Sequence, residues 1–218
     1  MKRRREEMEK GRSEIRSAME ELSELFLVKP EEKASTLALL TVSKQLLHVL
    51  DKIGPILLVL RQDIQQNVER VEELHARDPS VYSSLTAILT KEKCEGTTKK
   101  SDSCSRAVVW LIRSINFTVA FLERLVKDPE LNLAEAVEEA YKSTLKPWHG
   151  WIASAAYKQV ALKLIPEKDI FISLLMGKGQ DFEDLAGDIK NLLTMLQPLV
   201  DETNAILRKN TVDKLKSP

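Results

Sequence analysis

Six prolines, Pro30, Pro55, Pro79, Pro129, Pro147 and Pro166, fall between stretches whose apolar residues recur every third or fourth position. Proline cannot donate the backbone hydrogen bond that a helix interior needs, but it opens a helix without loss because the first N–H groups are unpaired there. Ile15, Met19, Leu22, Leu25 and Phe26 predict an amphipathic helix ending before Pro30. Leu37, Leu40, Leu47 and Leu50 mark a second, from Ser35 to Leu50, broken by Gly54-Pro55. Pro55 then opens a helix to about Ala76, and Pro79 another through Leu89. The polar stretch Cys94 to Ser105 predicts an exposed loop. A long helix follows from about Ser105 to Val126, then shorter ones from Leu133 to Leu145 and from Pro147 to Ile165. Gly177 and Gly179 separate a brief helix, Asp169 to Met176, from a last long one, Phe182 to about Arg208. With 7 Gly and 8 Pro, the chain lacks the turn every ~8–12 residues that an all-β sandwich or barrel requires. The expectation is an all-α protein, about eight helices in two packed layers.

Charge narrows the function classes. The 33 Lys and Arg balance 33 Asp and Glu, which argues against a general nucleic-acid binder, since displacing counterions from phosphates takes a basic surplus. The most apolar runs are interrupted by Lys44, Arg61, Arg113 and Glu123, short of an uninterrupted membrane span. Met1 to Arg5 is basic like the start of a signal peptide, but Glu6-Glu7 follows rather than an apolar segment. Two cysteines, Cys94 and Cys104, fit a reducing compartment, so the cytosol is the expected location. Catalysis finds little support: there is no Gly-x-Ser-x-Gly, no metal-spaced His pair and three His in total, so neither enzyme, metal nor cofactor is expected.

Three constellations could carry function. Asp63, Asn67 and Arg70 lie along one flank of the stripe Leu57, Leu60, Ile64, Val68 and Val71. This is either an ordinary amphipathic boundary or a polar cluster at the rim of an apolar cavity, suited to a sugar or phosphate. Trp110, Ser114, Phe117 and Phe121 share one face of the long helix, with Arg113 on its edge. That face is either core or a platform on which a sugar could stack. In Lys146-Pro147-Trp148-His149-Gly150-Trp151, two of the three tryptophans bracket a histidine. His149 is either structural or turned inward toward an amide, while Trp148 and Trp151, sharing a helical face, are candidates for docking on a membrane.

Together and in this order, these segments resemble the glycolipid transfer protein superfamily over roughly residues 35 to 210. Asp63-Ile64-Gln65-Gln66-Asn67-Val68-Glu69-Arg70 is similar to the family's Asp-Ile-x-x-Asn-(Ile/Val)-x-(Lys/Arg) signature. Trp110-Leu111-Ile112-Arg113 is similar to its Trp-Leu-x-Arg segment, and Lys146 to Trp151 to its Lys-x-x-His-Gly-Trp segment. The resemblance implies a two-layer helical sandwich enclosing an apolar lipid pocket, which carries one sphingolipid between membranes without chemistry. It implies head-group contacts from Asp63, Asn67, Arg70, Trp110, Arg113 and His149, chain-pocket roles for Phe117, Phe121 and Tyr157, and a place at the membrane-facing end for Trp151, which Trp148 joins as a docking candidate by its own position. Residues 1–34 would be a charged N-terminal extension with an amphipathic helix, and 35–218 the transfer domain. The expected partners are a glycosylceramide and, transiently, a membrane surface, with the protein a monomer.

Arg70 departs from the commoner Lys of the family, and a planar fork does not replace a point charge one for one. Members that take ceramide phosphate carry extra basic residues in or next to the Trp position. Trp110 retained beside Arg113 therefore favours a sugar, with ceramide phosphate the alternative, and a helical scaffold or lipid sensor a further one.

Overall fold

The structure, a computed structural model, describes residues 13–28, 34–53, 58–150, 154–155 and 166–216. Nine α-helices occur among them: α1 (Glu14–Val28), α2 (Thr36–Ile53), α3 (Leu58–Arg77), α4 (Pro79–Tyr82), α5 (Leu85–Glu95), α6 (Cys104–Lys127), α7 (Leu133–Thr144), α8 (Lys168–Leu175) and α9 (Phe182–Lys209). Short polar side chains start them as helix caps should. The hydroxyls of Ser13, Ser35 and Ser103 accept the N–H of Arg16, Ala38 and Arg106, and the side chains of Asn132 and Asp181 accept those of Glu135 and Asp184.

The architecture is all-α and two-layered, as the sequence implied. Helix α6 is its central element, packing against α2, α3, α5, α7 and α9. Its inward residues Val108, Leu111, Ile112 and Ile115 are closed off from solvent together with Leu39 of α2 and Ile64 of α3. Helix α6 is also long and apolar enough to cross a membrane by length and composition, which the interrupting Arg113 and Glu123 did not suggest; 56% of its most apolar window is buried inside the protein. Helix α1 packs on α9 and α2, burying Ile15, Ala18 and Leu22 in the common core and pairing Arg16 with Asp188 at 2.7 Å.

Three sequence expectations are corrected. The helix predicted from Pro79 to Leu89 is two, because the Ser83 carbonyl accepts the Thr36 N–H at 2.9 Å and Ser84, in extended conformation, bridges Ser35. The stretch from Cys94 to Ser105 is not wholly an exposed loop. Helix α5 runs on to Glu95 and stops at Gly96, whose φ of 70° is the left-handed conformation that ends helices, while Ser103, Cys104 and Ser105 are buried. Finally, Pro147 opens only a 3₁₀ turn, Lys146–Trp148, after which His149 is extended. Further on, the Ser154 N–H donates to the Gly150 carbonyl at 3.0 Å. Trp148 thus lies in the 3₁₀ turn, and the helix predicted from Pro147 does not continue through His149. Trp151 and Tyr157, like most of the segment to Ile165 and the Gly54-Pro55 break, lie outside the described residues.

Candidate functional site

Helix α3 presents Asp63, Asn67 and Arg70 on successive turns. Asn67 is buried, and its amide Nδ2 donates to the Asp63 carbonyl at 2.9 Å, which fixes the amide plane and leaves its oxygen to accept. Asp63 is exposed, yet the protein on its inner side desolvates the carboxyl enough to push it above the ordinary carboxylate value, against the pull of Arg70. The Arg70 carbonyl accepts the Cys104 thiol at 3.6 Å, joining α3 to the start of α6. Burial pushes that thiol up to about 11, so it is neutral and unreactive.

Helix α6, α7 and the 3₁₀ turn bring the other polar candidates together. The Trp110 indole stacks on the His149 ring, centroids 5.4 Å apart. The Arg113 guanidinium carbon lies 4.9 Å from the Trp110 ring centre and 4.2 Å from that of Trp148, so both tryptophans flank one cation. Arg113 is only 5% exposed. Its Nη1 donates to the Leu215 carbonyl at 2.6 Å and its Nη2 to the Asp213 carbonyl at 2.8 Å. Burial draws its pKa down to about 10, opposed by the Asp213 carboxylate, so it remains a cation at neutral pH.

His149 is half-buried, and desolvation followed by the Arg113 charge holds its pKa below the ordinary imidazole value. It is therefore neutral at pH 7, with one ring nitrogen protonated. Its Nδ1 lies 3.2 Å from the Tyr141 hydroxyl, which is also 3.2 Å from Ser154 Oγ. With the Tyr141 proton directed at Nδ1, Nε2 becomes a donor; directed at Ser154, it makes Nε2 an acceptor. Tyr141 thus sets what His149 offers a ligand. The sequence reading passed over it, because nothing in the α7 pattern links it to a histidine eight residues on.

Among the apolar candidates, Phe117 and Phe121 stack at 6.4 Å and Phe121 meets Phe171 of α8 edge-on at 5.5 Å, forming one aromatic row between α6 and α8. Phe171 was not singled out in the sequence. Among the described residues no group of His, Cys, Asp and Glu is arranged to hold a metal.

The glycolipid transfer protein (GLTP) family profile matches residues 34–177. Glycolipid transfer protein 3 of Arabidopsis thaliana is 47% identical, with both chains covered in full. Glycolipid transfer protein 1 of the same plant is 29% identical over 82% of this chain and 86% of its own. A FAPP2 structure, described as selecting simple glycosphingolipids using the GLTP fold, superposes with a TM-score of 0.73 at 25% identity, covering 86% of this chain and 90% of that one. The fold is also shared, at 14% identity and a TM-score of 0.77, with a mutant of Arabidopsis ACD11 complexed with ceramide-1-phosphate, over 92% of this chain and 96% of that one. The chain belongs to the glycolipid transfer protein family.

Proposed function

We propose that this protein, as a monomer in the cytosol, lifts a sphingolipid out of one membrane and delivers it unchanged to another, with a monoglycosylceramide as its preferred cargo. Its full-length relationship to glycolipid transfer proteins is the observation that carries the reading. Asp63 accepts sugar hydroxyls or the ceramide amide, Asn67 adds its oxygen, Arg70 reaches the head group and Trp110 offers an indole face to the first sugar. His149 donates from Nε2 to the ceramide carbonyl when the Tyr141 hydroxyl donates to Nδ1. The chains lie among apolar side chains such as Phe117 and Phe121, with Tyr157 assigned there by sequence alone. Trp148 and Trp151 are the assigned membrane contacts.

Few polar groups suffice for such work. Each CH₂ exposed as a lipid leaves the bilayer costs about 0.8 kcal/mol, which an apolar sleeve removes. A sugar is favoured over a phosphate because the Nη groups of Arg113 are already engaged by backbone carbonyls. The test is movement of labelled glucosylceramide and ceramide-1-phosphate between vesicles. Asp63→Val and Trp110→Ala should each slow glucosylceramide by roughly 10-fold or more, as expected when hydrogen bonds to a charged group or a stacking face are lost. Binding without movement would make the protein a sensor, and the absence of both would end the reading.

A further inference from the structure

The segment after α9 turns back sharply. Asn210 caps the helix, and the Thr211 and Val212 N–H groups bond to the Arg208 and Leu207 carbonyls. Thr211 makes the reversal at φ 59°, a conformation rare for a β-branched residue and sustained only where its surroundings hold it. Val212 is buried and Leu215 packs on the core. The chain then runs across α6 as a strap held by two arginines seven residues apart, hence on one face of the helix. Arg113 binds the carbonyls of Asp213 and Leu215, and Arg106 Nη1 binds that of Lys216 at 2.7 Å. Arg106 also donates to the carbonyls of Lys99 and Lys100, tying the strap to the loop before α6.

What the strap gives Arg113 resembles an anionic ligand. Two carbonyl oxygens occupy the outer fork of the guanidinium, where an oxyanion would bind end-on, and the Asp213 carboxylate supplies counter-charge. Beside it is a cavity of about 400 Å³, lined in part by Arg113, Trp148, Asp213, Asn116, Asn204 and Arg208. The buried cation therefore borders open space, whose lining also includes a second guanidinium, Arg208, and the carboxylate of Glu123.

Resting on the transfer reading above, we propose that residues 211–216 are an internal stand-in for an anionic head group and so set the charge selectivity of the site. Seated, the strap leaves the site to a neutral sugar head group. Displaced, it frees Arg113 to grip the phosphate of a phosphosphingolipid.

The experiment compares movement of glucosylceramide and ceramide-1-phosphate by the full chain, by Asp213→Ala combined with Arg106→Ala, and by that pair with Arg113→Gln added. Neither Asp213 nor Arg106 contacts the sugar in the proposed site, and their loss loosens the strap without removing Val212 or Leu215 from the core. The pair should shift the rate ratio toward ceramide-1-phosphate by about tenfold or more, the scale of one or two charge-assisted hydrogen bonds, and Arg113→Gln should cancel that shift. Faster amide exchange at Val212 and Leu215 reports that the strap has loosened. An unchanged ratio, equal slowing of both lipids, or a full chain that already prefers the phosphate overturns the gate while glucosylceramide transfer stands. If the full chain neither binds nor moves either lipid, the transfer reading is wrong and the gate falls with it.

Discussion

Asp63 is a carboxylate that its surroundings disfavour. Its folded-state pKa is raised by desolvation, so just above the ordinary carboxylate value the folded chain holds more protons than the unfolded one. Stability is therefore lost as pH rises through that window, and the loss is complete at neutral pH. Asp63→Asn should raise the thermal midpoint at pH 7 and leave it unchanged near pH 3, about where both states are protonated, while weakening glycosylceramide binding by roughly 10-fold. Melting curves at the two pH values check the first part; a midpoint that falls at pH 7 would show that Asp63 stabilises the fold. Asp63 was legible in the sequence through its spacing from Asn67 and Arg70. The bond from the Asn67 amide to the Asp63 carbonyl was not, since an i,i+4 spacing does not say where a side chain turns.

At the scale of elements, the start of α6 has the most specific chemistry outside the site. Both carboxylate oxygens of the buried Glu92 on α5 accept N–H groups of α6, from Cys104 at 2.7 Å and Ser105 at 2.8 Å. These donors have no partner within the helix, and the positive end of the helix dipole favours the charge. Glu92→Ala should cost about 3 kcal/mol, lowering the thermal midpoint by roughly 6–12 °C for a chain of this size; calorimetry that finds less than about 2 °C would mean water replaces the carboxylate. Ser103 is a polar residue in the stretch Cys94 to Ser105, whose composition predicts exposure, and Glu92 lies just before it. Pairing between α5 and α6 reverses the conclusion. At Pro147 the sequence signal was real, but proline opens 3₁₀ turns as readily as α-helices, and the extended His149 stops the turn after three residues.

Over the whole molecule the charges cancel, and several pair locally on the surface, as Lys91 does with Glu95 and Lys142 with Glu138. Such pairs contribute little to stability, and a neutral molecule has little long-range pull toward a bilayer. Transfer between zwitterionic vesicles should therefore change by less than about twofold between roughly 50 and 300 mM salt, over which the screening length shortens but no net charge exists to be screened. A steep decline with salt, measured by the same lipid-movement assay, would reveal a charged docking face instead.

Apolar spacing, proline punctuation and short polar caps determined the helices and most of their ends, because these are local properties that a period of 3.6 residues exposes. They also marked Asp63, Asn67, Arg70, Trp110, Arg113 and His149, which follow one another in three short segments. Tertiary structure alone decided what those groups are free to do. The Tyr141 hydroxyl meets His149 Nδ1, the segment after α9 occupies the fork of Arg113, and Phe171 closes the aromatic row of α6. Arg113 and Leu215 are separated by about a hundred residues and meet only because α9 packs against α6 and the chain reverses at Thr211. No pattern along the chain encodes such a meeting, since the partner of a buried cation is set by packing rather than by spacing.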